Sequence, residues 1–257
     1  MTTTSHLGPR CSEIFPGHRR FVSVPVQFRN LPDACMTLVP IVAIQELDKE
    51  RDNLCHFLSS QELQYLQRFR FAKRRHEWLA GRIAAKAVAM IHCDSGQRSF
   101  APERITILSD VHGRPDPDQG WPVGLCRPTI SHSHEYGVAM VSSVRCGVDL
   151  QQLEDRLIGL ADRIMEIDEA RVMRELFRQE QLLGLTLIWS VKEAVKKMHL
   201  FDQPGLFDAI RIEEIDMTGP DQWQVLCRLV DSGRQQVVDA AFFEQYVLAW
   251  CQEEEGN

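Results

Sequence analysis

Trp189-Ser-Val-Lys-Glu-Ala-Val-Lys196 decides the reading of the fold, because Leu79-Ala-Gly-Arg-Ile-Ala-Ala-Lys86 echoes it earlier in the chain. Each string lies in a run with apolar residues at helical spacing. Leu79, Ile83, Ala87, Met90 and Ile91 mark one face of the first run, and Ile188, Val191, Val195 and Met198 one face of the second. The spacing predicts helices from about Arg74 to His92 and from Thr186 to Met198.

Working outward, the elements around the two helices come in the same order. The first half opens with a strand expected over Leu38–Leu47, where Pro40 suggests an edge or a strand start. Ser59 and Glu62 read as a capping box, with Leu63, Leu66 and Phe69 at helical spacing behind it. After the helix come strands at Ile105–Leu108, Thr129–Ser133 and Gly137–Ser142, interrupted by the turn His112-Gly-Arg-Pro115 and a proline-bearing loop over 115–128. The second half gives a strand at Cys146–Leu150, a helix over Asp168–Phe177, the echoing helix, and strands at Ala209–Ile212, Trp223–Val230 and Tyr246–Cys251. Each half therefore reads strand, helix, helix, strand, strand, strand. The expected class is α+β, with two similar α+β halves related by a pseudo-two-fold axis and a cleft between them of the kind ligands favour. The expected divisions are an irregular N-terminal arm at 1–36, with room for one short strand at Phe21–Val26, a first half at 37–143 and a second at 144–257.

Composition bounds the function. The chain has 257 residues, 44% hydrophobic and 25% charged, which excludes a disordered chain, a collagen and a small disulfide scaffold. Net charge is −7, so a global attraction to nucleic acid or acidic lipid is not expected, although a local basic patch is compatible with it. No pair of the eight cysteines forms a CxxC, which argues against zinc ribbons and thioredoxin-like chemistry and for small buried thiols in a reducing compartment. The N-terminus lacks an apolar stretch fit for a signal peptide, and no segment approaches the roughly 18 apolar residues of a membrane span. The expectation is a cytoplasmic monomer that binds neither nucleic acid nor membrane.

Three clusters carry candidate chemistry. Arg68, Arg70, Lys73, Arg74, Arg75 and Arg82 gather cations where one helix passes to the next, with Gly81 leaving room for close approach. Such a set holds phosphates, or else forms a solvated helix surface with cations near a helix C-terminus. Thr129-Ile-Ser131-His132-Ser133-His134 places two histidines on one strand face, a spacing that suits a phosphate, a metal or backbone capping. The third set is Asp149 with Gln151 at a strand end, and Glu193 with Lys197 on the echoing helix. Glu then Lys at i, i+4 is also the ordinary helix ion pair, stabilising by about 0.2–0.5 kcal/mol. A strand carboxylate and a helix carboxylate can instead bind magnesium, which takes one or two carboxylates plus water and phosphate oxygens.

With these strings in view, the chain resembles the Sfp-type 4′-phosphopantetheinyl transferases over about residues 60–200. The matching strings are Gly113-Arg-Pro115, Ile130-Ser-His-Ser133, Gly147-Val-Asp149 and Trp189-Ser-Val-Lys-Glu-Ala194 with Lys197, together with the Arg68–Arg82 stretch. The resemblance implies two similar α+β halves with coenzyme A bound between them. It implies that Lys73, Arg82 and Arg114 contact the phosphates or adenine edge, and that Ser131 and His132 hold the 3′-phosphate region. It further implies that Asp149 and Glu193 bind magnesium with the pyrophosphate, and that Lys197 neutralises the transferred phosphoryl group. Many members carry Glu two residues after the Asp, where this chain has Gln151, whose amide oxygen ligates weakly or holds a metal-bound water.

The implied reaction moves 4′-phosphopantetheine from coenzyme A to a serine of an apo carrier protein and releases adenosine 3′,5′-bisphosphate. Glu193, directly or through water, is the candidate base. The carriers in question are those of fatty acid, polyketide, nonribosomal peptide and lysine pathways. Two other readings compete: an impaired relative that only binds coenzyme A or carriers, resting on Gln151, and a metallohydrolase built on His132 and His134.

Overall fold

Leu38 and Val39 are strand, but Ile41 opens a helix. In the computed structural model, which describes residues 17–21, 24–93, 101–118, 120–200 and 208–253, the stretch expected as one strand divides at Pro40. Strand β3 is Ala34–Pro40 and helix α1 is Ile41–Lys49, with Pro40 as its N-cap. Ile41, Ile44 and Leu47 are the buried residues of α1, three apart, so the apolar run carries helical rather than alternating spacing. Proline suits a helix start because the N–H it lacks would have no intrahelical partner.

The described residues fall into two compact units, each with its own core. The first takes in the described part of Phe15–Val148 with the residues from Gln252 onward, and the second is Asp149–Cys251. Helix and sheet are mixed in both, as an α+β class requires.

In the first unit, β1 (Gly17–Phe21), β2 (Val24–Leu31), β3, β6 (Thr129–Ser133) and β7 (Tyr136–Ser142) form an antiparallel sheet in the order β1-β2-β3-β7-β6. The arm expected to be irregular is therefore strand from Gly17 to Phe21 and from Val24 onward, while residues 1–16, Val22 and Ser23 lie outside the described residues. Val24, Val26 and Phe28 alternate along β2, a period-two signal that the prolines and glycines before it obscured. Helix α2 (Ser60–Leu66) begins at the expected capping box, with both the Ser59 and Glu62 bonds present. Helix α3 (Ala72–Cys93) crosses the sheet on Gly137 and Gly81. A Cβ on Gly137 would lie 2.7 Å from the Ala80 Cβ and 3.0 Å from the Ala80 carbonyl carbon, so helix and sheet backbones approach too closely for any side chain there. A two-stranded ribbon, β4 (Ile107–Ser109) with β5 (Pro115–Pro117), completes the unit.

The second unit begins within β8 (Cys146–Gln152). It continues through α4 (Ala161–Ile164), α5 (Ile167–Leu176) and α6 (Gln181–His199) into β9 (Ile210–Gly219), β10 (Gln222–Leu229), β11 (Gln235–Phe243) and β12 (Tyr246–Gln252). The sheet order is β8-β12-β11-β10-β9, with hairpins joining β9 to β12. One strand more than expected is present, β11, which carries Val238 and Ala240 into the core. Ile188, Val191, Val195 and Met198 of α6 are buried as their spacing predicted.

The two units share an internal device. In the first, the ammonium of Lys86 on α3, fully buried, donates to Glu62 Oε2 at 2.5 Å and to the Phe57 and Pro102 carbonyls. Glu62 Oε1 accepts the Ile107 amide at 3.0 Å, and its Oε2 the Ser59 amide at 2.8 Å. In the second, Lys192 on α6 donates to Glu169 Oε2 at 2.8 Å and to the Ile164 carbonyl at 2.9 Å. Glu169 Oε1 accepts the Ile212 amide at 2.7 Å, and its Oε2 the Glu166 amide at 2.8 Å. Burial pushes both lysines down from the usual ammonium range while the paired glutamates oppose that shift. By role, then, Lys86 matches Lys192. The sequence echo had aligned Lys86 with Lys196, one helical turn further along.

Candidate active site

The site residues expected from the sequence divide cleanly between the units. Lys73, Arg82, Arg114, Ser131 and His132 lie in the first, and Asp149, Gln151, Glu193 and Lys197 in the second.

The basic cluster of the first unit is not one patch. Arg75 clamps Asp48 of α1 through both Nε (2.7 Å) and Nη2 (2.6 Å) and donates Nη1 to the Leu66 carbonyl. Arg82 is buried, with Nε on the Ile107 carbonyl at 2.8 Å, Nη2 on Ser109 Oγ, and its guanidinium 4.9 Å from the Trp78 ring centre. Burial pushes that guanidinium down to about 10, against the pull of Glu62 and Tyr65, so it stays charged at neutral pH. Arg68 stands over the Tyr65 ring, which stacks on Trp78. Arg82 thus anchors α3 to β4, and Gly81, expected to admit a ligand, admits Ile130 of β6 instead: a Cβ there would lie 2.7 Å from Ile130 Cγ2.

Lys73 and Arg74 of the cluster are joined by His132 of β6 around Glu77. Its nearly buried carboxylate lies 3.9 Å from Lys73 Nζ, 3.1 Å from Arg74 Nη1 and 3.9 Å from His132 Nδ1. Lys73 and Arg74 keep about two thirds of their side-chain surface, at 68% and 69%, so these cations can meet a ligand. Glu77 was missed in the sequence, although Lys73 at i−4 and Arg74 at i−3 were a visible signal. Ser131 is buried in β6 beside the half-exposed His132. His134 falls beyond β6 at a positive φ of 46°, so it does not continue the strand face that a paired-histidine site needs.

Arg114 follows Gly113, whose φ of 83° favours glycine. Its Nε donates to Asp110 Oδ2 at 2.6 Å, and Asp110 Oδ1 accepts the amides of His112 and Arg114. Desolvation would raise the Asp110 carboxyl, but the Arg114 side chain and these amides outweigh it and hold it at about 2. Asp110 was not singled out in the sequence; Asp followed by a His-Gly turn was the available cue.

In the second unit, β8 and α6 bring the motif residues together. Asp149, 5% exposed, accepts Lys197 Nζ at 2.7 Å. Glu193 sits one turn before Lys197 on α6 and is held by Lys196 at 3.4 Å. Lys197 is therefore a cross-link to β8, more than the surface ion pair that i, i+4 spacing allowed. Gln151 donates Nε2 to the Gln152 carbonyl at 3.0 Å. Two carboxylates and an amide oxygen are hard donors of the kind magnesium takes, so in kind they fit that ion. Among the described residues no three His, Cys, Asp or Glu side chains converge as a metal set. Among the described residues the share of such a site is two carboxylates plus the amide, and no further ligand stands beside the two histidines for a metallohydrolase.

Comparison with known proteins agrees with the strings. Residues 145–251 match the family model of the 4′-phosphopantetheinyl transferase superfamily. The chain is 25% identical to 4′-phosphopantetheinyl transferase ffp of Bacillus subtilis, over 58% of this chain and 63% of that protein. It is 33% identical to enterobactin synthase component D of Salmonella typhi, over 57% of each, and 23% identical to 4′-phosphopantetheinyl transferase psf-1 of Bacillus pumilus, over 61% of this chain and 66% of that protein. Each match spans less than two thirds of the relative's length. The resemblance to Sfp-type transferases is borne out by these matches.

Proposed function

We propose that the chain transfers 4′-phosphopantetheine from coenzyme A to a serine of an apo carrier protein. The observation that carries this reading is the Asp149–Lys197 link with Glu193 one turn away, which unites in one unit the charged residues of two separate motifs. In this reading the serine oxygen forms a bond to the β-phosphorus, the bond from that phosphorus to the bridging oxygen breaks, and adenosine 3′,5′-bisphosphate leaves with that oxygen. Asp149 and Glu193, with Gln151 assisting, are the residues that would hold magnesium, which when bound supplies positive charge to the pyrophosphate. Lys197 turns from Asp149 toward the transferred phosphoryl group, and Glu193, or a water it orients, accepts the serine proton. Lys73, Arg114, Ser131 and His132 take the nucleotide end of the donor, with Arg82 supporting them through α3 and β4.

The units are read as internal repeats of one plan, the pseudo-two-fold reading of the sequence, and the shared Lys–Glu device supports this. No described helix is long and apolar enough to cross a membrane; a cytoplasmic monomer is part of the proposal. Incubation with coenzyme A, magnesium and a panel of apo carriers tests it by intact mass. One phosphopantetheine should be added to at least one carrier, with loss of the signal in Glu193→Ala. No gain on any carrier overturns the reading, and coenzyme A binding without transfer favours the impaired relative.

A further inference from the structure

Lys192 lies one residue before Glu193, and its ammonium is spent inside the unit. Through Glu169 and the Ile164 carbonyl it ties α6 to the start of α5, the end of α4 and the beginning of strand β9 at a single buried point. Such a tie fixes both the rotation of α6 about its axis and its slide along it. A side-chain tip lies about 5 Å from a helix axis, so a rotation of about 10° moves it by about 1 Å. A misplacement of that size at a reacting centre costs on the order of 100-fold in rate.

We propose that Lys192 is a positioning residue for the transfer reaction, acting through Glu169 and the Ile164 carbonyl to set the rotation of α6 and so the places of Glu193 and Lys197. The inference rests on the transferase reading above. The molecule carries its own control. Lys86 has the same burial and the same kind of partners, yet it is followed by Ala87, and no carboxylate assigned to the chemistry rides on its helix next to it.

The test compares Lys192→Met with Lys86→Met. Each leaves a buried carboxylate unpaired, so both should lose roughly ten degrees of thermal midpoint. Assayed well below both midpoints, Lys192→Met should lose about 100-fold in kcat with KM for coenzyme A unchanged, while Lys86→Met keeps its kcat. Lys192→Arg, which restores the charge, should recover part of the loss. Equal kcat losses in the two Met variants would reduce the device to stability and overturn the proposal. Where Lys192→Met fails to fold, Glu169→Gln is compared with Glu62→Gln and the same split is expected. Were the wild type to transfer nothing, the transferase reading falls and the positioning claim is judged separately. A double-mutant cycle on unfolding measures the Asp149–Lys197 coupling in wild type and in Glu169→Gln. Its loss in that background supports the claim, and its survival overturns it.

Discussion

Glu62 and Glu169 perform one task in two places. Each sits three residues past a helix N-cap, accepts that residue's amide, accepts an amide from a strand, and neutralises a lysine on the unit's longest helix. What else each unit carries differs. In the first, Lys73, Arg74 and His132 gather on Glu77, and in the second Lys197 pairs with Asp149 and Lys196 with Glu193. The device is shared and the arrangement of charge beyond it is not: in the first unit two cations share one carboxylate, and in the second each carboxylate has a lysine of its own.

The sharpest way to break this equivalence is to remove each glutamate. Glu62→Ala and Glu169→Ala should each cost about 3–5 kcal/mol, the usual loss when one member of a buried pair is deleted, read from urea midpoints. Values that differ by several kcal/mol would show the two devices to be unlike. Ligand discrimination comes next. The 3′-phosphate carries close to two negative charges near neutral pH, and a charge-assisted contact contributes about 1.5–3 kcal/mol. Dephospho-coenzyme A should therefore bind roughly 10- to 150-fold more weakly in calorimetry. His132→Ala should narrow that gap and Glu193→Ala should leave it intact; the reverse pattern would place the 3′-phosphate in the other unit.

Packing separates the units on a smaller scale. Gly137→Ala drives a methyl against the Ala80 backbone, whereas Gly184→Ala meets side-chain atoms alone, the Phe177 ring at 2.8 Å and Met173 Cγ at 2.9 Å. The first should cost about 1–3 kcal/mol and the second less, by thermal unfolding. The smallest effect concerns acid. The hydrogen bond from Arg75 holds the Asp48 carboxyl below its usual value, burial opposing. Its folded pKa being the lower, the unfolded chain binds the extra proton, so the contribution is present above about pH 4 and lost as pH falls through the folded value. Asp48→Asn should flatten that acid limb of the midpoint-against-pH curve in the first unit, and an unchanged limb would show that Arg75 gains nothing from the pair.

Local chemistry was legible in the sequence and long-range pairing was not. The Ser59/Glu62 capping box was readable because both partners lie within one turn, but the lysine that Glu62 neutralises is 24 residues away. Its counterpart was hidden further, since the residue capping α5 is Glu166, outside the Ser/Thr pattern. The cations were visible as a cluster, yet their division depended on Asp48, 27 residues from Arg75, and on a backbone carbonyl that no sequence pattern marks. At Pro40 the β-branched run suggested a strand and the three-residue spacing of Ile41, Ile44 and Leu47 prevailed. Strand β11 was missed although Gly233, at a φ of 68°, marks the turn before it.

The placing of β8 beside β12 has a consequence for portability. The second unit is entered on one of these strands and left on the other, and they are neighbours in a single sheet, about 4.8 Å apart. Its two ends thus lie side by side, the geometry in which whole domains are inserted into or exchanged between chains with little strain. The stretch that matches the family model, 145–251, is nearly this same piece. A chimera that replaces it with the corresponding piece of a relative joins the chain at two adjacent strands, whose spacing both joints must keep.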